Sequence, residues 1–273
     1  MRVTIAAMIM ALAGAVPALA QAPVAPEQRG SPVSTVPPDA LKELAPSGTL
    51  RAAINLGNPV LAQGTAQEPR GVTVDLAREL GRRLGVPVQL VPFNAAGKVF
   101  EALKDGAWDV AFLAIEPVRA AEIAFTAPYV LIEGVYLVPK DSPLKTVADV
   151  DRAGVRIGVN RNSAYDLYLT RTLKNATLVR SEDGVESFVK DKLEASAGVK
   201  QPIVAYAKTN PEVRVMEGRF MEIRQAMGTP QGRPAAAAYL KTFVEEMKAS
   251  GFVAEALKRS NQPDAAVAPP GGA

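Results

Sequence analysis

Short apolar runs and stretches of helical spacing alternate along most of the chain. Leu50-Arg51-Ala52-Ala53-Ile54-Asn55 is a compact apolar run stopped near Gly57, which predicts a buried strand. From 74 to 84, Val74, Leu76, Ala77, Leu80 and Leu84 recur at helical spacing. Asp75 stands in the first turn, where a carboxylate suits the helix dipole, and Gly85 supplies a stop. The run 86–91 predicts a second strand, 99–103 a short helix ended by Gly106, and 108–113 a third strand. A second series begins after Val138. It reads as strand 155–159, helix 163–173, strand 176–179, helix 185–193, helix 201–208 and strand 221–227. Two amphipathic helices follow, 235–247 and 252–257, divided by Gly251. Strand–helix alternation of this kind predicts an α/β layer structure. No short repeat period emerges, so the two similar series predict two lobes.

The two ends depart from this pattern. Arg2 is followed by an apolar stretch to Val16 and then Pro17-Ala18-Leu19-Ala20-Gln21. A positive start, an apolar stretch and an Ala-x-Ala site predict a secretory signal peptide over 1–20, cut after Ala20. Pro17 breaks the stretch and no basic stop-transfer cluster follows, which argues against a membrane anchor. Residues 21–44, with Pro23, Pro26, Pro32, Pro37 and Pro38, are expected to form a linker, and 263–273 a disordered tail.

Composition then narrows the chemistry. The 273 residues include no histidine and no cysteine. A Ser-His-Asp or Cys-His nucleophile system is impossible, as are thiolate or imidazole zinc sites, disulfides and an acylated cysteine. Chemistry by carboxylate, lysine, tyrosine, serine and backbone is left, or binding without chemistry. Hydrophobic residues make up 48%, enough for a sizeable core. Aromatic residues make up 5%, and the formal charge is +3, falling to +2 without Arg2. Few stacking surfaces and a small, scattered positive excess argue against nucleic-acid binding.

Several segments carry a family likeness. They are Gly71-Val72-Thr73-Val74-Asp75-Leu76-Ala77-Arg78-Glu79-Leu80, then Gly106-Ala107-Trp108-Asp109-Val110, then Pro117-Val118-Arg119. Ile123-Ala124-Phe125-Thr126-Ala127-Pro128-Tyr129 and Glu246-Met247-Lys248-Ala249-Ser250-Gly251-Phe252 complete the set. Their order and spacing, from Leu50 to about Arg259, resemble the extracellular solute-binding proteins of polar amino-acid ABC transporters, solute-binding family 3. The resemblance implies the two-lobed α/β fold of type II periplasmic binding proteins. Each lobe would be a mixed sheet flanked by helices, and two hinge strands would join them. Lobe one would take 45–136 plus 228–262 and lobe two 137–227, with crossings in 132–138 and 223–228. A cleft between the lobes would close on solute. The implied partners are a small carboxylate-bearing solute and the membrane permease of an ABC importer. The chain would act as a periplasmic monomer, with no cofactor, metal or catalytic residue.

By this resemblance Arg119 grips the ligand carboxylate. A guanidinium fork offers two charge-assisted hydrogen bonds, which fix orientation as well as affinity. Ser163 opens a helix after the turn Arg161-Asn162, where backbone N–H groups and a hydroxyl suit an anion and also suit simple N-capping. Leu113 and Ala114 end a strand and offer backbone alone. Glu116 has two open roles, pairing with Arg119 or meeting a ligand ammonium. Asn58 stands in the first-strand loop, which lacks the aromatic common in the family. Gln201 and Arg224-Gln225 are lesser candidates. Around Val199 and Lys200 there is no aspartate for a ligand ammonium. Two arginines, a lysine and a missing acid favour an anionic solute, an amino acid or a related organic anion. Trp108, Phe125 and Tyr129 are expected to serve packing. Two alternatives share the scaffold: a cyclohexadienyl dehydratase-like enzyme, which needs a cleft acid, and a periplasmic sensor or adaptor.

Overall fold

The computed structural model describes residues 36–271, and both strand–helix series form within it. The expected signal segment and residues 21–35 of the expected linker lie outside the described residues.

Helix α1 (Pro38–Leu44) leads into β1 (Leu50–Asn55) and a small antiparallel pair, β2 (Gln63–Gly64) and β3 (Pro69–Arg70). Next come α2 (Val72–Leu84), β4 (Val88–Phe93), α3 (Ala96–Glu101), β5 (Val110–Ala114) and the single turn α4 (Pro117–Ala120). The 17-residue strand β6 (Ile123–Pro139) leads into the second series. That series is β7 (Arg156–Asn160), α5 (Ala164–Thr172), β8 (Thr177–Ser181), α6 (Gly184–Lys190), β9 (Ala195–Val199) and α7 (Lys200–Thr209). The chain ends with β10 (Val213–Val215), β11 (Met221–Pro230), α8 (Pro234–Ala249), α9 (Phe252–Arg259) and β12 (Ala266–Val267).

The main sheet runs β4-β1-β5-β11-β6-β9-β7-β8. Strands β4, β1 and β5 are parallel, as are β9, β7 and β8. Each parallel group is covered by its crossover helices, and β5, Val110-Ala111-Phe112-Leu113-Ala114, is apolar and buried on both faces. Strands β11 and β6 pair antiparallel between the groups, with register shifts at Gln225/Ala226 and Ala226/Gly228. This gives two α/β lobes joined by two long strands. Each lobe has a core patch of its own beside the large shared core. One patch gathers Val99, Trp108, Leu113 and Ile123, and the other Leu137, Phe188, Leu193 and Ile203.

Local chemistry accounts for several boundaries. Gly85 ends α2 in the left-handed region at φ 70°, a conformation that favours glycine. The predicted strand 86–91 starts at Val88, because the Val86 N–H caps α2 by donating to Gly81 O. Trp108 precedes β5 and is wholly buried, its Nε1 donating to Val99 O at 2.9 Å. Strand β9, Ala195-Ser196-Ala197-Gly198-Val199, carries mostly small residues and so gave no apolar signal.

Two expectations at the ends are corrected. Part of the expected linker is helix α1, which buries Ala40 and Leu44; the Glu43 carboxylate accepts from Ala236 N at the start of α8 at 2.8 Å. The expected disordered tail is ordered through Gly271. Strand β12 pairs with β6 at Leu131 and Val130, and Ala268 N donates to Tyr129 O at 3.1 Å. Backbone pairing and the buried methyls of Ala265 and Ala268 hold a segment whose composition alone reads as loose.

Candidate functional site

The carboxyl ends of all six parallel strands open onto one cleft of about 640 Å³ between the lobes. Ligands of open α/β sheets bind at such strand ends, where loops converge and backbone groups are free. Asn55, Asn94 and Ala114 reach it from lobe one; Asn160, Asp183 and Val199 reach it from lobe two.

Arg119 sits at the base of this cleft. The turn α4 follows directly from β5, with Pro117 at its first position, and turns Arg119 inward until it is 1% exposed. Its Nη1 donates to Ala114 O at 3.1 Å, and its Nη2 crosses to lobe two and donates to Asn162 O at 2.8 Å. Its buried Nε has no partner. Burial pushes the guanidinium down to about 10, opposed by the nearby charge of Glu116, so it stays a cation at neutral pH.

The lobe-two wall is shaped by the turn after β7. Asn162 adopts φ 57°, a left-handed conformation that asparagine tolerates, and its carbonyl faces Arg119. Ser163 is the N-cap of α5: its Oγ accepts from Asp166 N at 3.1 Å. Both readings of this serine meet here, since it caps the helix and lines the cleft. Asp166 is buried, accepts from Asn162 N at 2.8 Å and pairs with Arg180 at 2.9 Å. Close glycine packing completes the wall. A Cβ on Gly158 of β7 would lie 2.3 Å from Gly184 O, so α6 rests directly on the strand. Burial raises the Tyr165 phenol well above its ordinary range.

Of the sequence candidates, Asn58, Leu113, Ala114, Arg119, Arg161 and Ser163 line the cleft, as does Gln225. Four others, Glu116, Asn162, Gln201 and Arg224, do not. Glu116 is 3% exposed, and its carboxylate pairs with Arg171 of α5 across the lobe boundary. It therefore acts on Arg119 through charge, without a direct bond and without facing a ligand. Asn162 contributes its carbonyl to Arg119, while its Nδ2 donates to Glu101 Oε1 at 3.2 Å. Gln201 lies outside the lining; Pro202, Ile203 and Tyr206 of the same helix face in. Lys200 is also withdrawn, paired with Glu133 at 2.7 Å. Reading polar residues at predicted strand ends as site candidates would have found Asn94, Asn160 and Asp183.

The lobes touch through Arg119–Asn162, Glu116–Arg171, Glu101–Asn162 and Lys98–Glu182, the last at 3.3 Å. A Cβ on Gly97 would come within 2.7 Å of Asn162 Cβ, so the cleft stands closed at this edge. A family model for bacterial extracellular solute-binding proteins, family 3, matches residues 50–261. The chain belongs to that family. No curated protein sequence matches it.

Solved structures of the same fold support the architecture of this family 3 protein. The solute receptor for L-cysteine of Neisseria gonorrhoeae shares 21% identity at a TM-score of 0.70, covering 82% of this chain and 94% of the receptor. A binding component of an ABC transporter from Wolinella succinogenes, complexed with lysine, shares 21% identity at a TM-score of 0.67, over 78% and 95% of the two chains. An ancestral amino acid-binding protein, a precursor of cyclohexadienyl dehydratase, shares 23% identity at a TM-score of 0.66, over 80% and 98%. At these identities the likeness carries the fold, that of type II periplasmic binding proteins.

Proposed function

We propose that this protein is a periplasmic receptor that closes its cleft on a small carboxylate-bearing solute and delivers it to an ABC importer. Arg119 carries this reading. A guanidinium with an unpartnered Nε, 1% exposed at the seam of two lobes, is a charge awaiting an anion. Leu113, Ala114, Asn58, Arg161 and Ser163 surround it as the proposed binding site. The strands β6 and β11 serve as hinges, with lobe one as 45–136 plus 228–262 and lobe two as 137–227. The register shifts in β11 at 225–228 give those strands a place to bend. Residues 1–20 act as a cleaved export signal, and the receptor works as a monomer. Among the described residues no helix is long and apolar enough to cross a membrane.

Calorimetric titration with amino acids, 2-oxo acids and dicarboxylates tests this reading. One solute per chain is expected to bind without turnover, and at 100 times its Kd to add about 2.7 kcal/mol of stability. Silence across the whole carboxylate panel contradicts it. Release of aromatic product from prephenate or arogenate favours a dehydratase instead.

A further inference from the structure

We propose that the solute carries its carboxylate on an apolar body and has no ammonium group. The inference rests on the receptor reading above and narrows its ligand. One face of the lobe-two wall of the cleft, built from α6, β9 and α7, carries a continuous set of apolar side chains. Val199 ends β9, Pro202, Ile203 and Tyr206 face in from α7, and Val185 and Val189 face in from α6. Ile203 belongs to the lobe-two core patch, and Val185 and Tyr206 pack against that patch. The cleft therefore exposes the side of a hydrophobic core. The i, i+4 spacing of Val185 and Val189, and of Pro202 and Tyr206, sets two apolar stripes facing one space. Val189 is 51% exposed, one of two large hydrophobic side chains left open to solvent among the described residues. Gly198 fits tightly against Ile203, since a Cβ there would lie 2.9 Å from Ile203 Cδ1.

The charges lining the cleft point the same way. Arg119 is the one lining side chain that is both charged and buried. Arg161, Asp183, Glu186 and Lys190 line it too, and all four are exposed. Asp183 Oδ1 is occupied by the N–H groups of Val185 and Glu186, which start α6. Glu186 has the opposite charge of Lys190 one turn on. Three cations against two acids leave one positive charge for the solute to neutralise. An ammonium enclosed in the cleft finds no buried carboxylate among the lining side chains, since Glu116 lies outside the lining and is paired with Arg171, and repulsion from the guanidinium adds to its desolvation cost. A hydrocarbon body against the Val199–Ile203 wall meets no such cost.

Matched pairs test this by calorimetry on the full mature chain: leucine against 4-methyl-2-oxopentanoate, and phenylalanine against phenylpyruvate. The oxo acid of each pair is expected to bind at least about tenfold tighter than its amino acid. Along pyruvate, 2-oxobutanoate and 2-oxopentanoate, affinity is expected to rise about threefold to fourfold per methylene. Val189→Ser, an exposed change that leaves the core intact, should weaken 4-methyl-2-oxopentanoate several-fold more than it weakens pyruvate. Val199→Asp should shift preference back toward leucine. Amino acids that bind as tightly as their oxo partners, or affinity flat along the series, overturn the inference while the receptor reading stands. Failure of every carboxylate to bind overturns both.

Discussion

Arg119 of lobe one donates a 2.8 Å hydrogen bond to the main-chain carbonyl of Asn162 in lobe two. One side chain thus joins the two halves of the cleft it lines, and its buried Nε has no partner. On the proposed receptor reading, the same residue registers closure and ligand.

Arg119→Met keeps the length of the side chain and removes the charge. Loss of a buried, hydrogen-bonded charge partner should cost about 100-fold or more in carboxylate affinity. The unliganded variant should unfold at no lower urea concentration than the parent. Burial that pulls the guanidinium down to about 10 disfavours its charged form by about 3 kcal/mol, a cost the variant escapes. Unchanged affinity would falsify the assignment of Arg119.

The pH dependence follows from the same shift. The unfolded chain holds the Arg119 proton more tightly than the folded one. The cost to the empty protein is full below about pH 10 and fades as pH rises above it. A bound carboxylate needs the cation, so affinity should be flat from about pH 6 to 9 and fall about tenfold per unit above 10. Calorimetry across buffers checks this. A midpoint near neutrality implicates another group.

Glu116 and Arg171 form an ion pair across the lobe boundary, outside the cleft. Arg171 is largely open to water, which screens the pair. Glu116→Gln should loosen the closed form and weaken solute binding about twofold to fivefold. Adding Arg171→Gln should cost little more, since the partners share one interaction. Two fully additive losses count against a latch.

The C-terminal strap braces the strand that joins the lobes. Lys248 Nζ donates to Pro128 O at 3.2 Å and to Pro269 O at 2.9 Å, while β12 pairs with Val130 and Leu131. Deleting 263–273 should lower stability by about 1–3 kcal/mol, read as an earlier urea midpoint. An unmoved midpoint shows the strap to be dispensable.

Much of the fold was legible because its strands and helices differ in period. The run at 50–55 and the stripe at 74–84 each formed where the pattern placed them. Strand β9 was silent, since Ala195, Ser196 and Gly198 are buried by their neighbours and carry little apolar surface of their own. The strap at 265–271 was misread for a related reason: small Ala residues followed by Pro269, Pro270 and Gly271 carry little apolar surface, and its order comes from distant partners on β6 and α8. Arg119 and Ser163, which line the cleft, were legible from the family motif and from cap chemistry. The pairing of Glu116 was not legible, because its partner Arg171 lies 55 residues away and only the folded lobes bring them together. The apolar wall of Val189 and Tyr206 was equally hidden, as an inward stripe on a short helix looks like any core stripe.

A crystal structure of the complex with the tightest-binding carboxylate tests the central claim most directly. The account predicts a solute carboxylate within about 3 Å of the Arg119 guanidinium, with Nε engaged. A carboxylate held elsewhere, with Arg119 Nε still unpartnered, would contradict it.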